Sequence, residues 1–353
     1  MSHILNVLPA NGSGERILED SPSCVTVESE EAIRLLVTID TECDKGPKWR
    51  VRKPFSFSNI LEGVPQRLQP VLNKHDIKPT YLLSPEVLND EMCAKLFVEL
   101  GKTVELGTHL HAEYIEPDAD FSTDTTSAVQ CDLPRDIERE KLRNLTELFR
   151  QQIGYQPTSF RAGRFGIGPH TLAILQELGS TVDSSVTPTR WWWIERGRGV
   201  NFLGAPSQPY YPSNSDFRQS GRLKIIEVPV TVRHPVFDKL PARFLRLINP
   251  LSRIQTIALN KLGIGENRCQ WLRPTYSSAK QMLAVATETV QRTKSGPTVI
   301  CMMFHSNEAT AGTSPYFETG LQVEEFLGRI SDFCGELRSR FNVTAVGLSD
   351  ITA

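Results

Sequence analysis

The sequence predicts an α/β protein built as a barrel of parallel strands, and three observations lead there. From residue 32 onward, short apolar runs alternate with longer amphipathic ones, the pattern of strands joined by crossover helices. Polar residues of ligating or proton-transferring type stand at the ends of those apolar runs, and in a parallel barrel these positions share one rim. The chain also has no 20–50-residue repeat, no G-x-G-x-x-G and no P-loop pattern, which sets aside repeat arrays and the common nucleotide-binding folds.

Taken in order, residues 1–31 are polar, rich in Ser, Glu and Gly and without a sustained period, and are expected to be a flexible tail. The domain is expected over 32–353. Residues 33–39 read as a buried strand. Leu61, Val64, Leu68, Val71 and Leu72 make a helical stripe, interrupted in principle by Pro65 and Pro70. A second strand is expected at 80–83. A helix capped by Asn89 or Asp90 then carries Cys93, Leu96, Phe97 and Leu100 and stops at Gly101.

A short third strand at 104–106 precedes a patternless polar stretch, a helix over 135–153 and a fourth strand at 158–160. Pro169 opens the next helix, Gly179 closes it, and a fifth strand follows at 181–183. The alternation breaks at residue 184. From there to 275 the chain reads as an inserted wall, rich in Pro, Gly and aromatics, with one strand at 223–232 and a basic, apolar helical stretch at 241–262. A helix at 277–292, a strand at 298–304, a helix at 321–341 and a strand at 343–348 bring the total to seven or eight strand candidates, read as a barrel of about seven parallel strands.

The chain has 353 residues with 39 basic and 41 acidic side chains, net charge −2, and a pI near 6.4. That length holds one barrel or two domains and buries a full core without staples. The overall charge gives no general electrostatic case for nucleic acid or an anionic membrane as partner, and no apolar run is long enough to span a bilayer. A small molecule or neutral polymer fits better. The first residues lack the basic segment of a secretory signal, so a cytoplasmic location is expected. The seven cysteines, Cys24, Cys43, Cys93, Cys131, Cys269, Cys301 and Cys334, are scattered and form no C-x-x-C pair; they read as small core residues.

Asp40 and Glu42 follow the first strand two residues apart, so both can face one cavity, although an ordinary acidic turn with Asp44 and Lys45 has the same pattern. His109 and His111 share the same spacing near the third strand. Two imidazoles and a carboxylate make a donor set for Zn²⁺ or a similar ion. Arg161 follows the fourth strand, either in the site or as a surface or phosphate contact, and Gly163 and Gly166 mark a tight turn beside it. His305 follows the strand at 298–304 with the chemistry of a general acid or base, and Asp183 is the expected orienting carboxylate. Trp191, Trp192, Trp193, Tyr210 and Tyr211 in the inserted segment suit either stacking on sugar rings or an insertion core.

Five stretches together resemble the polysaccharide deacetylase (NodB-homology) family: TIDTECD at 38–44, ELGTHLH at 105–111, SFRAGRFG at 159–166, VDSSVTP at 182–188 and MMFHSNE at 302–308. The resemblance implies a distorted (β/α) barrel and a metal-dependent hydrolase that removes an N-acetyl group from a sugar or glycan; the expected cytoplasmic location points to a nucleotide- or lipid-linked precursor of a surface polysaccharide. Zinc is the expected ion, with cobalt, manganese, nickel and iron as alternatives.

Carried over by position, Asp40 resembles the catalytic base, Glu42 the metal-binding acid and His109 the first metal histidine. Arg161 resembles the arginine that holds the base, Asp183 the acid that orients the second catalytic residue, and His305 the histidine that protonates the leaving amine. Two departures stand out. A threonine separates Asp40 from Glu42, where the common pattern has adjacent aspartates. The usual second histidine position, four residues after the first, holds Glu113, so His111 is preferred over Glu113 as the remaining ligand. A hydrolase for a non-sugar amide and a catalytically silent glycan-binding barrel are the alternative functions.

Overall fold

The computed structural model describes residues 32–51, 53–121, 129–194, 198–249 and 253–352. The tail expected at 1–31 lies outside the described residues. Among the described residues, twelve strands follow in chain order: β1 (Ala32–Thr41), β2 (Thr80–Leu83), β3 (Glu105–Leu110), β4 (Ser159–Ala162), β5 (Val182–Asp183), β6 (Trp191–Ile194), β7 (Arg198–Asn201), β8 (Ile226–Glu227), β9 (Val232–Arg233), β10 (Gln270–Trp271), β11 (Thr298–His305) and β12 (Asn342–Ala345). The main sheet runs β11-β1-β2-β3-β4-β5-β8, with β12 also on β1, and every pairing in it is parallel.

This is a curled, distorted (β/α) barrel of seven parallel strands. It is distorted where β8 approaches β11. There the chain after β8 and a side chain replace a strand pair: Thr231 N–H donates to the Cys301 carbonyl at 3.0 Å, and the Gln208 amide bonds both the N–H and the carbonyl of Val299.

The helices are α1 (Gln69–Lys74), α2 (Pro85–Leu88), α3 (Glu91–Leu100), α4 (Arg135–Ile153), α5 (Thr171–Glu177), α6 (Ala242–Leu245), α7 (Arg253–Lys261), α8 (Ala279–Arg292) and α9 (Gly320–Arg340). Pro65 does not end the first helical segment. The chain winds as a π-helix over Asn59–Leu68 and tightens to α at Gln69, a wider turn that accommodates a residue without an N–H. Of the two candidate caps for α3, Asp90 is the one used, accepting from the Cys93 N–H. The basic helical stretch is two short helices, α6 and α7, and the expected strand at 223–232 is only β8 and β9, split around Pro229.

β3 runs four residues beyond its expected end. Gly107 masks it in sequence, yet a Cβ there would lie 2.6 Å from the Ser159 carbonyl on β4, so glycine is what lets the two strands pair. The core is continuous through the barrel. Leu36, Ile39, Leu82, Phe160, Ile300 and Phe304 are fully buried, with Phe326 and Ile330 of α9 packed outside them. Burial of each such side chain contributes about 1.5–3 kcal/mol. Within the stretch expected to be a wall, Trp191, Leu203, Phe237, Leu245 and Leu259 form a second small core, while β8 of the same stretch belongs to the main sheet.

Candidate active site

Strand register assembles the site. Asp40 pairs with His305 across β1 and β11, and His109 pairs with Arg161 across β3 and β4. Parallel, in-register strands bring these four residues to one level at the C-terminal end of the sheet.

The Arg161 guanidinium is fully buried and every arm is used. Nη1 donates to Asp40 Oδ1 at 2.7 Å, Nε to the Ser184 carbonyl at 2.7 Å, and Nη2 to Thr38 Oγ1 and Ser184 Oγ. The alternative of a surface contact for Arg161 is excluded. Burial alone would raise the Asp40 carboxyl; the Arg161 guanidinium, by its charge and its hydrogen bond, outweighs it and holds Asp40 below its ordinary value.

Glu42 lies two residues along, just past the end of β1. Its Oε1 is 3.1 Å from His111 Nε2, 3.4 Å from His109 Nε2 and 4.0 Å from His305 Nε2, while its Oε2 pairs with Lys45 Nζ at 3.1 Å. The far side of each histidine decides what these contacts mean. His109 Nδ1 lies 3.0 Å from the Arg161 carbonyl oxygen, which only accepts, so Nδ1 carries the hydrogen. His111 Nδ1 donates in the same way to Glu113 Oε1 at 3.1 Å. Two neutral imidazoles would therefore aim lone pairs at an ionised carboxylate oxygen, an arrangement that calls for a cation.

The three donor atoms of Glu42, His109 and His111 lie within 4.8 Å of one another and all three residues are buried. This set fits a divalent ion with a position left for a further ligand. Without one, a proton serves: burial would lower His111, but Glu42 and Glu113 outweigh it and raise it to about 9. Burial likewise opposes ionisation of Glu42, and His111 and Lys45 hold it well below the ordinary carboxylate range.

Glu113 stands behind His111, held by Arg164 Nη2 at 2.6 Å. It is thus an orienting carboxylate, and His111 is the residue that presents a nitrogen to the group. The turn carrying Arg164 is strained: Arg164 and Phe165 both have left-handed backbone, φ 56° and 53°. Gly163 before them could not carry a Cβ, which would lie 2.5 Å from the Leu110 carbonyl and 3.4 Å from the His111 ring.

One expectation needs correction. Asp183 does not orient His305. Its carboxylate accepts from the N–H and Oγ of Ser185 and shares a proton with Glu227, its in-register neighbour on β8. Burial raises both carboxyls, and Asp183 raises Glu227 further, well above its ordinary value. The carboxylate on His305 is Glu308, three residues on, with Oε1 3.1 Å from Nδ1. Glu308 is itself held by Arg273 at 3.3 Å and by Thr275 Oγ1 at 2.5 Å. A residue at i+3 from His305 was open to recognition within MMFHSNE; Arg273 and Thr275 come from the inserted wall and carry no local signal.

The aromatic residues also sort themselves. Trp191 and Tyr210 are buried, Trp193 and Tyr211 are exposed, and Trp192 stacks on Phe165 at 5.2 Å beside Arg161. Three further rings lie at the more exposed side, by His305. His305 has the most exposed side chain of the group at 13%, against 6% or less for Asp40, Glu42, His109, His111 and Arg161. At that side the Trp49 ring lies 4.9 Å from His305 and 5.4 Å from Tyr316, whose hydroxyl is 2.8 Å from that of Tyr276. Lys48 and Trp49 are a second left-handed pair, φ 60° and 62°.

No family model matches the chain, and no curated protein does. The fold is similar to solved structures at low identity. A protein assigned as a polysaccharide deacetylase from Mycobacterium smegmatis is 15% identical, over 92% of this chain and 90% of that one, with a TM-score of 0.49. A family 4 acetyl xylan esterase from Clostridium thermocellum, solved with a cobalt ion, is 12% identical over 90% and 89%, at 0.41. A CE4 family pseudoenzyme from Bacillus anthracis is 12% identical over 90% and 64%, at 0.40. At TM-scores below 0.5 these likenesses say nothing of activity.

Proposed function

We propose that the protein is a metal-dependent N-deacetylase acting on an N-acetylated sugar of a glycan or surface-polysaccharide precursor. The observation that carries the proposal is the convergence of two imidazole nitrogens on Glu42, each with its far nitrogen already engaged, next to an Asp40–Arg161 pair. The five-motif resemblance and the aromatic rings at the more exposed side support the sugar class.

Glu42, His109 and His111 would hold a divalent ion, which would supply Lewis acidity toward an amide carbonyl and lower the pKa of water. Asp40, kept ionised by Arg161, takes the proton of the attacking water. Main-chain N–H groups at Arg164 and Phe165 face the developing oxyanion. His305, oriented by Glu308, delivers a proton to the nitrogen as the C–N bond breaks, so that acetate and amine separate.

The test is acetate release from a panel of N-acetylated sugars, sugar nucleotides and non-sugar amides with added Zn²⁺, Co²⁺ or Mn²⁺, with Asp40→Asn as the blank. Release from sugars that the variant lacks is the expected result; release only from non-sugar amides would overturn the substrate class. One observation favours a second reading. Lys45 already pairs with Glu42 at 3.1 Å and offsets its charge, as a barrel that binds glycans without metal would need. Elemental analysis of the purified protein decides, since absence of any bound divalent metal under loading conditions would sink the hydrolase.

A further inference from the structure

The inserted wall presents a surface that the site does not use. Among the described residues, six of the fifteen exposed large apolar side chains fall within 23 residues: Leu240, Phe244, Leu247, Ile254, Ile257 and Leu262, with Leu247 and Ile254 each 80% exposed. They are not the outside of an unpacked segment. Leu245 of α6 and Leu259 of α7 are buried in the small core with Trp191, Leu203 and Phe237, so each helix has an inward side already satisfied. At 100° per residue, Ile254, Ile257 and Lys261 lie on the side of α7 opposite Leu259.

Charge decides what would cover this surface. Between residues 239 and 262 the sequence has five cations, Lys239, Arg243, Arg246, Arg253 and Lys261, and no acid. Setting these five aside from the net −2 leaves −7 for the rest of the chain. The near-neutral total thus conceals a basic, apolar elbow, in which Arg246 turns inward to the Gly204 and Arg218 carbonyls and the other four cations have no acid beside them in the stretch; the absence of a general electrostatic case for an anionic membrane was an average over the whole chain. A symmetric dimer through this face would bring the cations onto their own copies with no acid in the stretch to meet them. Apolar residues interleaved with Lys and Arg suit an interface where aliphatic side chains enter the acyl boundary and cations meet anionic headgroups. Among the described residues no helix is long and apolar enough to cross a membrane, so the mode is attachment to one face.

We propose that α6, α7 and their flanks dock the protein on an anionic lipid bilayer. The proposal holds whether or not the site is a deacetylase. It has a geometric link to that site nonetheless: on β6, Trp191 packs under the elbow while its neighbour Trp192 turns the other way onto Phe165. A docked elbow would set the site wall at the bilayer surface, where a lipid-linked sugar is held.

The experiment is co-sedimentation of the full chain with vesicles of phosphatidylcholine alone or mixed with phosphatidylglycerol, at low and high salt. Binding to the mixed vesicles that weakens in salt is expected. Leu247→Glu with Ile254→Glu should lower it at least about tenfold, and Lys261→Glu about fivefold. Leu321→Glu, at an exposed apolar residue elsewhere, should leave it unchanged. Unchanged thermal midpoints show that the variants remain folded. Absent or equal binding to both vesicle types, or binding indifferent to the double substitution, would overturn the proposal. So would a dimer in sedimentation velocity that the double substitution abolishes, because the face would then belong to a second copy.

Discussion

Asp40, His109 and Arg161 stand on β1, β3 and β4, Glu42 and His111 follow β1 and β3 by one residue, and the five hold one another, whereas His305 ends β11 and takes its support from its own next turn and from Arg273. The first group is closed and almost completely buried. The second is partly open and lined by Trp49, Tyr276 and Tyr316. Register between parallel strands dictates the first group, so changes there should cost stability, metal or chemistry. The second depends on a loop and an insertion, where sequence can vary without disturbing the sheet, and changes there should alter orientation and substrate choice.

Breaking the first group gives the largest effects. Asp40→Asn should lower turnover by about 10²–10⁴-fold with metal content retained, read by acetate release and elemental analysis. Arg161→Met leaves the Asp40 charge buried without its partner and should destabilise the fold by about 3–5 kcal/mol in denaturant titration. Glu113→Gln weakens the hold on His111 without removing a ligand, so Zn²⁺ affinity measured by competition with a chelator should fall about 10–100-fold. In the second group, Glu308→Gln should shift the pH profile of kcat and reduce it far more than Asp183→Asn does. The reverse order would restore Asp183 as the partner of His305. Trp49→Ala should raise KM about five- to tenfold with kcat little changed if its ring stacks on the substrate.

The smallest effect is a pH dependence. Asp183 and Glu227 hold a proton in the folded protein that the unfolded chain releases above about pH 4. The folded state binds more protons, so their contribution is fully present below that pH and is lost as pH rises toward the raised folded-state value. Glu227→Gln should flatten the decline in thermal midpoint expected of the unchanged protein as pH rises above about 4.

Much of the sheet was legible because its strands are short apolar runs with ligating residues at their ends. Arg135–Ile153 and Thr80–Leu83 are found where periodicity and breakers put them. His109 and Arg161 were read as following strands when they lie within them, since Gly107 and Arg161 interrupt runs that backbone pairing continues. The orienting shell was less legible. Glu113 and Glu308 sit two and three residues from the histidines they serve, and only the direction of the ring nitrogens distinguishes an orienter from a ligand. Arg273 reaches Glu308 from 35 residues upstream, and its role follows from how the insertion folds back. Asp183 was misassigned because a carboxylate at a strand end looks alike whether it faces the rim or its neighbour on β8.

Lys45 has a consequence for the choice of ion. By occupying Oε2 of Glu42, it leaves that carboxylate able to bind in a monodentate fashion only. Calcium and magnesium prefer oxygen-rich shells, and calcium in particular favours chelating carboxylates. A site limited to one oxygen and two imidazole nitrogens instead suits borderline ions with low coordination numbers, zinc and cobalt among them. Lys45→Met would free the second oxygen, and with it the site's discrimination by denticity.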